Sequence, residues 1–241
     1  RYMLYSVAKD LAVTLRVLFF PRRVILYYPD RPKSRSVERK LCAVLGYAMT
    51  EIPSGRIDAV VKREDSTFPL TNPASVIDVD HTKVINDSCT DISKEYVAEA
   101  YERVFGIPMA VDPRTYDGPI IVKPNQNSIK QFTSAVGPLS EDQIKPEHVY
   151  HRLIDNTIGD GSQTVEIRVP VIDGKIDLVY RRVRQFDTRF DSLNQAISIH
   201  RPNELFTQEH LEKIVQMVRE MGVDYCECDV LFDKDGSLYV V

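Results

Sequence analysis

From Val165 to Val171 every second residue is a valine or isoleucine, with Thr164, Glu166, Arg168 and Pro170 set among them. A period of two marks a strand with one face in a core, so Glu166 and Arg168 share the other face. Asp173-Gly174 follows, a dipeptide that folds a chain back into a hairpin. A two-residue turn there pairs Glu166 with Arg181 and Arg168 with Val179, bringing Arg168 and Arg181 to one face. A second alternating run ends at Asp235-Gly236. It sets Tyr225, Glu227, Asp229 and Leu231 on one face, and Cys226, Cys228, Val230 and Phe232, which read as core, on the other.

Helical spacing appears in four stretches. Leu211, Ile214, Val215 and Val218 form a stripe, with Thr207 as N-cap and Gly222 as stop. Val97, Tyr101, Val104 and Phe105 form another, opened by Asp91 or Ser93 and ended by Gly106 and Pro108. Nearer the start, Val37, Leu41, Val44 and Leu45 recur on one face ahead of a capping Gly46, between strands expected at 24–28 and 57–61. Leu4, Val7, Leu11, Leu15 and Leu18 suggest an amphipathic helix stopped by Pro21. The run Pro119 to Pro124 is a strand that leads through Lys123 into a polar loop. Strands and helices mix without the regular alternation of a barrel and without internal repeats, so the fold class expected is α+β. The polar stretch 62–71 suggests a boundary near Thr71.

Composition narrows the function classes. The chain has 241 residues, 43% hydrophobic and 27% charged, within the range of globular proteins. A net charge of -4 argues against nucleic acid as partner. The most hydrophobic stretch, 2–20, is broken by Lys9, Asp10 and Arg16, so no membrane span is expected. Cys42, Cys89, Cys226 and Cys228 are too scattered for a disulfide framework, which fits a reducing cytoplasm. The chain opens on Arg1 and closes inside an apolar run, and so reads as a piece of a longer protein.

The outward faces carry the candidate chemistry. Arginines on a strand face suit a phosphate or carboxylate, since a guanidinium donates two parallel hydrogen bonds; a solvated charged face laced by Glu166 is the plainer alternative. Glu227 and Asp229 could offer oxygens to Mg²⁺, or simply sit in water. Lys123 at a strand end could hold phosphate as a point charge. No glycine-rich phosphate loop of the G-x-x-x-x-G-K type occurs, and the five histidines fall in segments without a nucleophile motif.

The order of these pieces resembles the ATP-grasp family, most closely its uncharacterised bacterial members. Asp91-Ile92-Ser93-Lys94, opening a helix that ends Val104-Phe105-Gly106, resembles the segment bearing a first ATP lysine, here Lys94. Ile120-Ile121-Val122-Lys123-Pro124 is similar to the "VVKP" strand with the second, here Lys123. The stretch from Val149 to Asp155 resembles the hinge that meets adenine, which implies Tyr150, His151, Leu153 and Asp155 as nucleotide contacts. Glu166-Ile167-Arg168-Val169 resembles the "D-I-R-V" strand, and family spacing points to Arg182, rather than Arg181, as its partner arginine. The stretch from Asp229 to Val241 resembles the one whose leading Asp binds Mg²⁺; the acidic-x-Asn pair that follows in the family would lie beyond Val241. The loop after Lys123 departs from the family in lacking glycines.

The resemblance covers about residues 70–241. It implies a pre-ATP-grasp unit at 1–71, a small ATP-grasp subdomain at 72–156 and an incomplete C-terminal subdomain at 157–241. It further implies ATP and Mg²⁺ as cofactors, and a ligase that activates a carboxylate as an acyl phosphate for attack by an amine or other nucleophile. The acceptor would be a small molecule or a peptide. Arg168 and Arg182 would face the reacting phosphate. A non-catalytic nucleotide-binding scaffold and an ATP-grasp kinase are the alternatives.

Overall fold

The computed structural model describes residues 22–33, 36–64, 66–75, 83–127, 129, 131–190 and 193–241. The helix expected over 2–20 lies outside them. The chain forms two compact units, Arg1–Ser88 and Cys89–Val241, so the junction expected near Thr71 falls inside the first.

The described part of the first unit is a parallel sheet of β1 (Arg23–Pro29), β2 (Tyr47–Thr50), β3 (Ala59–Arg63) and β4 (Lys83–Ile85), in the order β2-β1-β3-β4. Helix α1 (Val37–Leu45) joins β1 to β2, opened by the Ser36 side chain and closed by Gly46 in the left-handed region at φ 72°. The short strand β2 was not expected. The apolar stripe of α1 is turned outward in this unit, with Val44 84% exposed. Cys42 is the side chain that packs inward, 3.7 Å from the Tyr27 hydroxyl.

In the second unit, helix α2 (Lys94–Phe105) precedes an antiparallel sheet of β5 (Pro119–Pro124), β6 (Thr133–Val136) and β7 (His148–Arg152), in the order β6-β5-β7. A larger antiparallel sheet follows. It holds β8 (Thr157–Ile158), β9 (Gln163–Ile172), β10 (Val179–Gln185), β11 (Ala196–His200), β12 (Tyr225–Phe232) and β13 (Leu238–Val240); the main order is β11-β10-β9-β12-β13, and β8 pairs with β9. Helices α3 (Pro202–Leu205) and α4 (Gln208–Glu220) lie between β11 and β12.

The alternation along β9 and β12 settles which face is covered. Ile167, Val169, Val171, Val179 and Val230 are buried together with Ile214, Met217 and Val218 of α4 and Ala98 and Tyr101 of α2. The opposite face, bearing Glu166, Arg168 and Asp229, is left for the site. The register of β9 with β10 differs from a plain two-residue hairpin. Ile172 bridges Lys175 across Asp173-Gly174, but Ile176 to Leu178 leave the ladder and pairing resumes one residue out of step. Arg182 therefore stands opposite Glu166, and Arg181 opposite Ile167. A one-residue slip moves a side chain to the other face of a sheet. Arg182, and not Arg181, thus shares the face of Glu166 and Arg168, as the family spacing implied.

No helix among the described residues is long and apolar enough to cross a membrane. The buried Tyr101 hydroxyl donates to the Leu238 carbonyl at 2.6 Å, tying α2 to β13. Tyr101→Phe leaves that carbonyl without its donor and is expected to cost about 1–2 kcal/mol, read as a lowered urea midpoint with an unchanged m-value.

Candidate functional site

A cavity of about 320 Å³ opens between the two sheets of the second unit. Seven basic residues line it, Lys94, Lys123, Arg152, Arg168, Arg182, Arg184 and Arg189, against two acidic ones, Glu166 and Asp229. That imbalance suits a polyanion. A larger groove of about 550 Å³ runs along α4 beside Gly174, but its lining mixes charge signs and gathers none of these groups.

The lysine end is built by α2, β5 and β7. On β5, Ile120 and Val122 pack with Tyr150 on one face of the small sheet. Ile121 and Lys123 line the cavity on the other, and Ile121 stands directly opposite His151 in the ladder. Lys123 is 8% exposed. Burial, and secondarily the Lys94 charge, push its pKa down to about 8. Lys94 opens α2 beside it. The Lys94 backbone amide donates to the Asn125 carbonyl at 3.0 Å, and its ammonium donates to the carbonyls of Pro124, at 2.7 Å, and of Gln126. Asn125 also accepts from the Glu95 amide at 2.9 Å, so the loop after Lys123 is stitched to the start of the helix. Burial lowers the Lys94 pKa as well.

The arginine end is built by β9, β10 and β12. Arg168 forks onto Asp229, Nε to Oδ1 and Nη2 to Oδ2, both at 2.8 Å, and donates to Glu227 at 2.9 Å. Glu166 accepts from Arg182 at 2.9 Å and from Arg184 at 2.9 and 3.1 Å. Burial works against the charge on Glu166, but the Arg184 and Arg182 guanidiniums outweigh it and hold the carboxyl below its usual range. Asp229 goes the other way, raised by burial and by the neighbouring Glu166 charge despite Arg168. Arg189 lies over the rings of Phe186 and Phe190, 3.9 and 4.6 Å from their centroids. Phe190, from the connection between β10 and β11, in turn meets Phe132, from the loop between β5 and β6, at 5.5 Å, so aromatic rings from one loop of each sheet border the cavity.

The cavity thus brings together Lys94, Lys123, His151, Leu153, Arg168, Arg182 and Asp229. Tyr150 and Asp155 lie apart from it. The Tyr150 hydroxyl accepts from the Lys145 amide at 2.6 Å and its carbonyl from the Val111 amide at 2.9 Å. The Asp155 carboxylate caps the turn at Thr157, and those hydrogen bonds, aided by the Lys234 charge and opposed by burial, hold its pKa below the usual value. Arg184, Arg189, Phe132 and Phe190 were not singled out in the sequence. Arg182 and Arg184 share strand parity, so once Arg182 was placed the second arginine could have been found. Ser198, His200 and Glu204 also form a hydrogen-bonded row, at 2.7 and 3.1 Å. It sits across the sheet from the arginines and lines neither cavity.

The cavity's excess positive charge and the buried Lys123 ammonium fit a nucleoside polyphosphate. The same residues do not make a Mg²⁺ site in this arrangement. Both Asp229 oxygens are taken by Arg168, and no group of three His, Cys, Asp or Glu that could hold a metal occurs among the described residues.

No protein-family model matches the sequence, and no curated protein matches it. The structure does match solved ones. It is similar to the ATP-grasp ligase PsnB complexed with precursor peptide PsnA2 and AMPPNP, with a TM-score of 0.58 and 17% identity, over 90% of this chain and 86% of that one. Against PsnB complexed with a phosphomimetic variant of its minimal precursor, Mg and ADP, the TM-score is 0.58 at 16% identity, covering 92% and 89%. For the D-cycloserine synthetase DcsG the TM-score is 0.52 at 14% identity, covering 90% and 89%. The chain has the α+β ATP-grasp fold.

Burying the Lys123 ammonium works against folding. A fall in pKa from 10.5 to about 8 corresponds to roughly 3 kcal/mol. The unfolded chain binds the extra proton between these values, so the penalty is present in full below pH 8 and fades as pH rises toward 10.5. Lys123→Met is therefore expected to be the more stable protein at pH 7, with the difference shrinking above pH 8, as followed by urea melts across pH.

Proposed function

We propose that this chain binds ATP in the cavity between its two sheets and uses it to drive a ligase reaction. The observation that carries this is the division of positive charge within an ATP-grasp fold. Lys94 and Lys123 on the small-sheet side face Arg168, Arg182 and Arg184 on the large sheet across one cavity. The two sheets then act as the arms that hold the nucleotide.

Lys94 and Lys123 would hold the phosphates nearest the small sheet. Arg168 and Arg182 would neutralise the terminal phosphate and the charge that develops as it transfers. A substrate carboxylate oxygen attacks the γ-phosphorus and ADP leaves, giving an acyl phosphate; an amine or other nucleophile then attacks the acyl carbon and expels inorganic phosphate. The protein supplies position and charge, and no side chain needs to form a covalent bond. Glu166 and Asp229 keep the arginines apart and aimed, since each carboxylate orients at least one guanidinium through charge-assisted hydrogen bonds. PsnB carries a precursor peptide in its complex, which favours a peptide among the acceptors to be tried. Mg²⁺ as the second cofactor and the cytoplasm as location belong to the same proposal; Asp229 would serve as a metal ligand only once Arg168 releases its carboxylate.

ATP at about 100 times its Kd should stabilise the protein by roughly 2.7 kcal/mol, and Lys123→Ala should abolish the rise in melting temperature. An equal rise in that variant, or none in the wild type, would contradict the proposal. Affinity for ATP should also fall as pH is raised through about 8, where Lys123 of the free protein loses its charge. Titrations between pH 6.5 and 9.5 measure this directly.

A further inference from the structure

The row formed by Ser198, His200 and Glu204 takes no part in the cavity, and its atoms meet in a particular order. Ser198 Oγ lies 2.7 Å from His200 Nε2, and His200 Nδ1 lies 3.1 Å from a Glu204 carboxylate oxygen. The local fold accounts for this. Ser198 and His200 are two residues apart on β11 and so share a face. Pro202 opens α3 directly after the strand, and that short helix brings Glu204 back beside the ring.

The carboxylate fixes the protons along the row. An ionised carboxylate only accepts, so the neutral imidazole carries its hydrogen on Nδ1. Nε2 keeps its lone pair, and the Ser198 hydroxyl donates to it. That is the order that activates a serine: the hydroxyl is aimed at a base, and the base is oriented by a third group. Ser198 is exposed, so its oxygen is open to a reagent from solvent.

A fourth residue completes the set. Arg181 stands directly opposite Ser198 in the ladder of β10 with β11, and residues so opposed share a face with their Cβ atoms about 5 Å apart. The slip in register that moved Arg182 to the cavity face is what leaves Arg181 on this one. Among the described residues its guanidinium has no hydrogen-bond or ion-pair partner. A cation beside the nucleophile is placed to stabilise negative charge that builds on an oxygen of the group under attack.

We propose that Ser198, His200, Glu204 and Arg181 form a second, esterase-type site that acts on small acyl esters. Ser198 Oγ bonds to the acyl carbon while the bond from that carbon to the alcohol oxygen breaks. The serine proton passes to His200 Nε2 and on to the departing alkoxide. Water then attacks the acyl-serine and gives a proton to His200, which returns it to Ser198 as the carboxylic acid leaves. Arg181 meets the oxyanion in both steps, and Glu204 is a positioning residue for the ring. Neither the cavity nor its nucleotide is involved, so this site stands or falls independently of the ligase reading.

The test is treatment of the full chain with diisopropyl fluorophosphate, which phosphorylates an activated serine with loss of fluoride, read by peptide mass spectrometry. Wild type is expected to gain an adduct on Ser198, and Ser198→Ala none at that position. His200→Gln should slow labelling about a hundredfold, and Arg181→Gln by roughly the same factor. Glu204→Gln, whose amide can donate to Nδ1 and reverse the tautomer, should slow it as well, with partial recovery in Glu204→Asp. A carboxylate that served only the fold would leave the rate unmoved, and equal melting temperatures show that the variants are folded. Release of p-nitrophenolate from p-nitrophenyl acetate reports turnover, and the part lost in Ser198→Ala belongs to this site. No adduct on Ser198 under conditions that fully label a known serine esterase would overturn the assignment. So would labelling of His200→Gln at the wild-type rate, or an adduct without turnover that depends on Ser198.

Discussion

Glu166 sits between two guanidinium groups, and Asp229 sits in the fork of a third. Without these carboxylates the arginine face of the large sheet could not persist, because like charges repel at about 1 kcal/mol per pair at 4 Å even in water, and more strongly where water is scarce. Three arginines on neighbouring strands would swing out into solvent. The shared carboxylates instead keep Arg168, Arg182 and Arg184 turned inward with donors to spare. The cavity remains positive overall, since the carboxylates offset only part of its basic lining. A polyanion can add to this network without taking it apart.

The rest of the second unit serves to hold that arrangement in place. The face of β9, β10 and β12 away from the cavity is closed by α4 and by the buried end of α2, whose Tyr101 reaches β13. The opposite end of α2 carries Lys94 and is bound to the loop after β5. One helix therefore links the core of the large sheet to the lysine end of the cavity. The small sheet contributes rigidity of a different kind: its Ile120, Val122 and Tyr150 cluster anchors β5 from behind, which leaves Ile121 and Lys123 fixed on the cavity side. Keeping an ammonium and an imidazole buried there works against stability, and such a cost is commonly met where a site is prepared for a ligand.

Strand faces were legible because alternation needs no knowledge of partners. The outward set Glu166, Arg168, Glu227 and Asp229 follows from period two alone and is the set found on the cavity face. Register was less legible. The Asp173-Gly174 turn is present, yet three residues beyond it leave the ladder, and a local signal for a turn says nothing about where pairing resumes. Arg182 came from the spacing of a family pattern. Arg184, one strand repeat further on, was missed because its role depends on sharing Glu166 with Arg182, a contact between strands. The hinge stretch shows the same limit. His151 and Leu153 reach the cavity, while Tyr150 turns to the opposite face, as its neighbour on a strand must. The outward stripe of α1 marks the weakness of helical periodicity, which identifies an apolar face without saying what covers it.

The central claim is that one anionic nucleotide is held by both sheets at once. Hydrogen exchange of the protein with and without AMPPNP tests it most directly, read peptide by peptide. The account predicts slower exchange in two separate regions, 119–124 with 148–153 on the small sheet and 163–170 with 180–185 on the large one. Protection confined to one sheet, or exchange unchanged in both at saturating nucleotide, would contradict it.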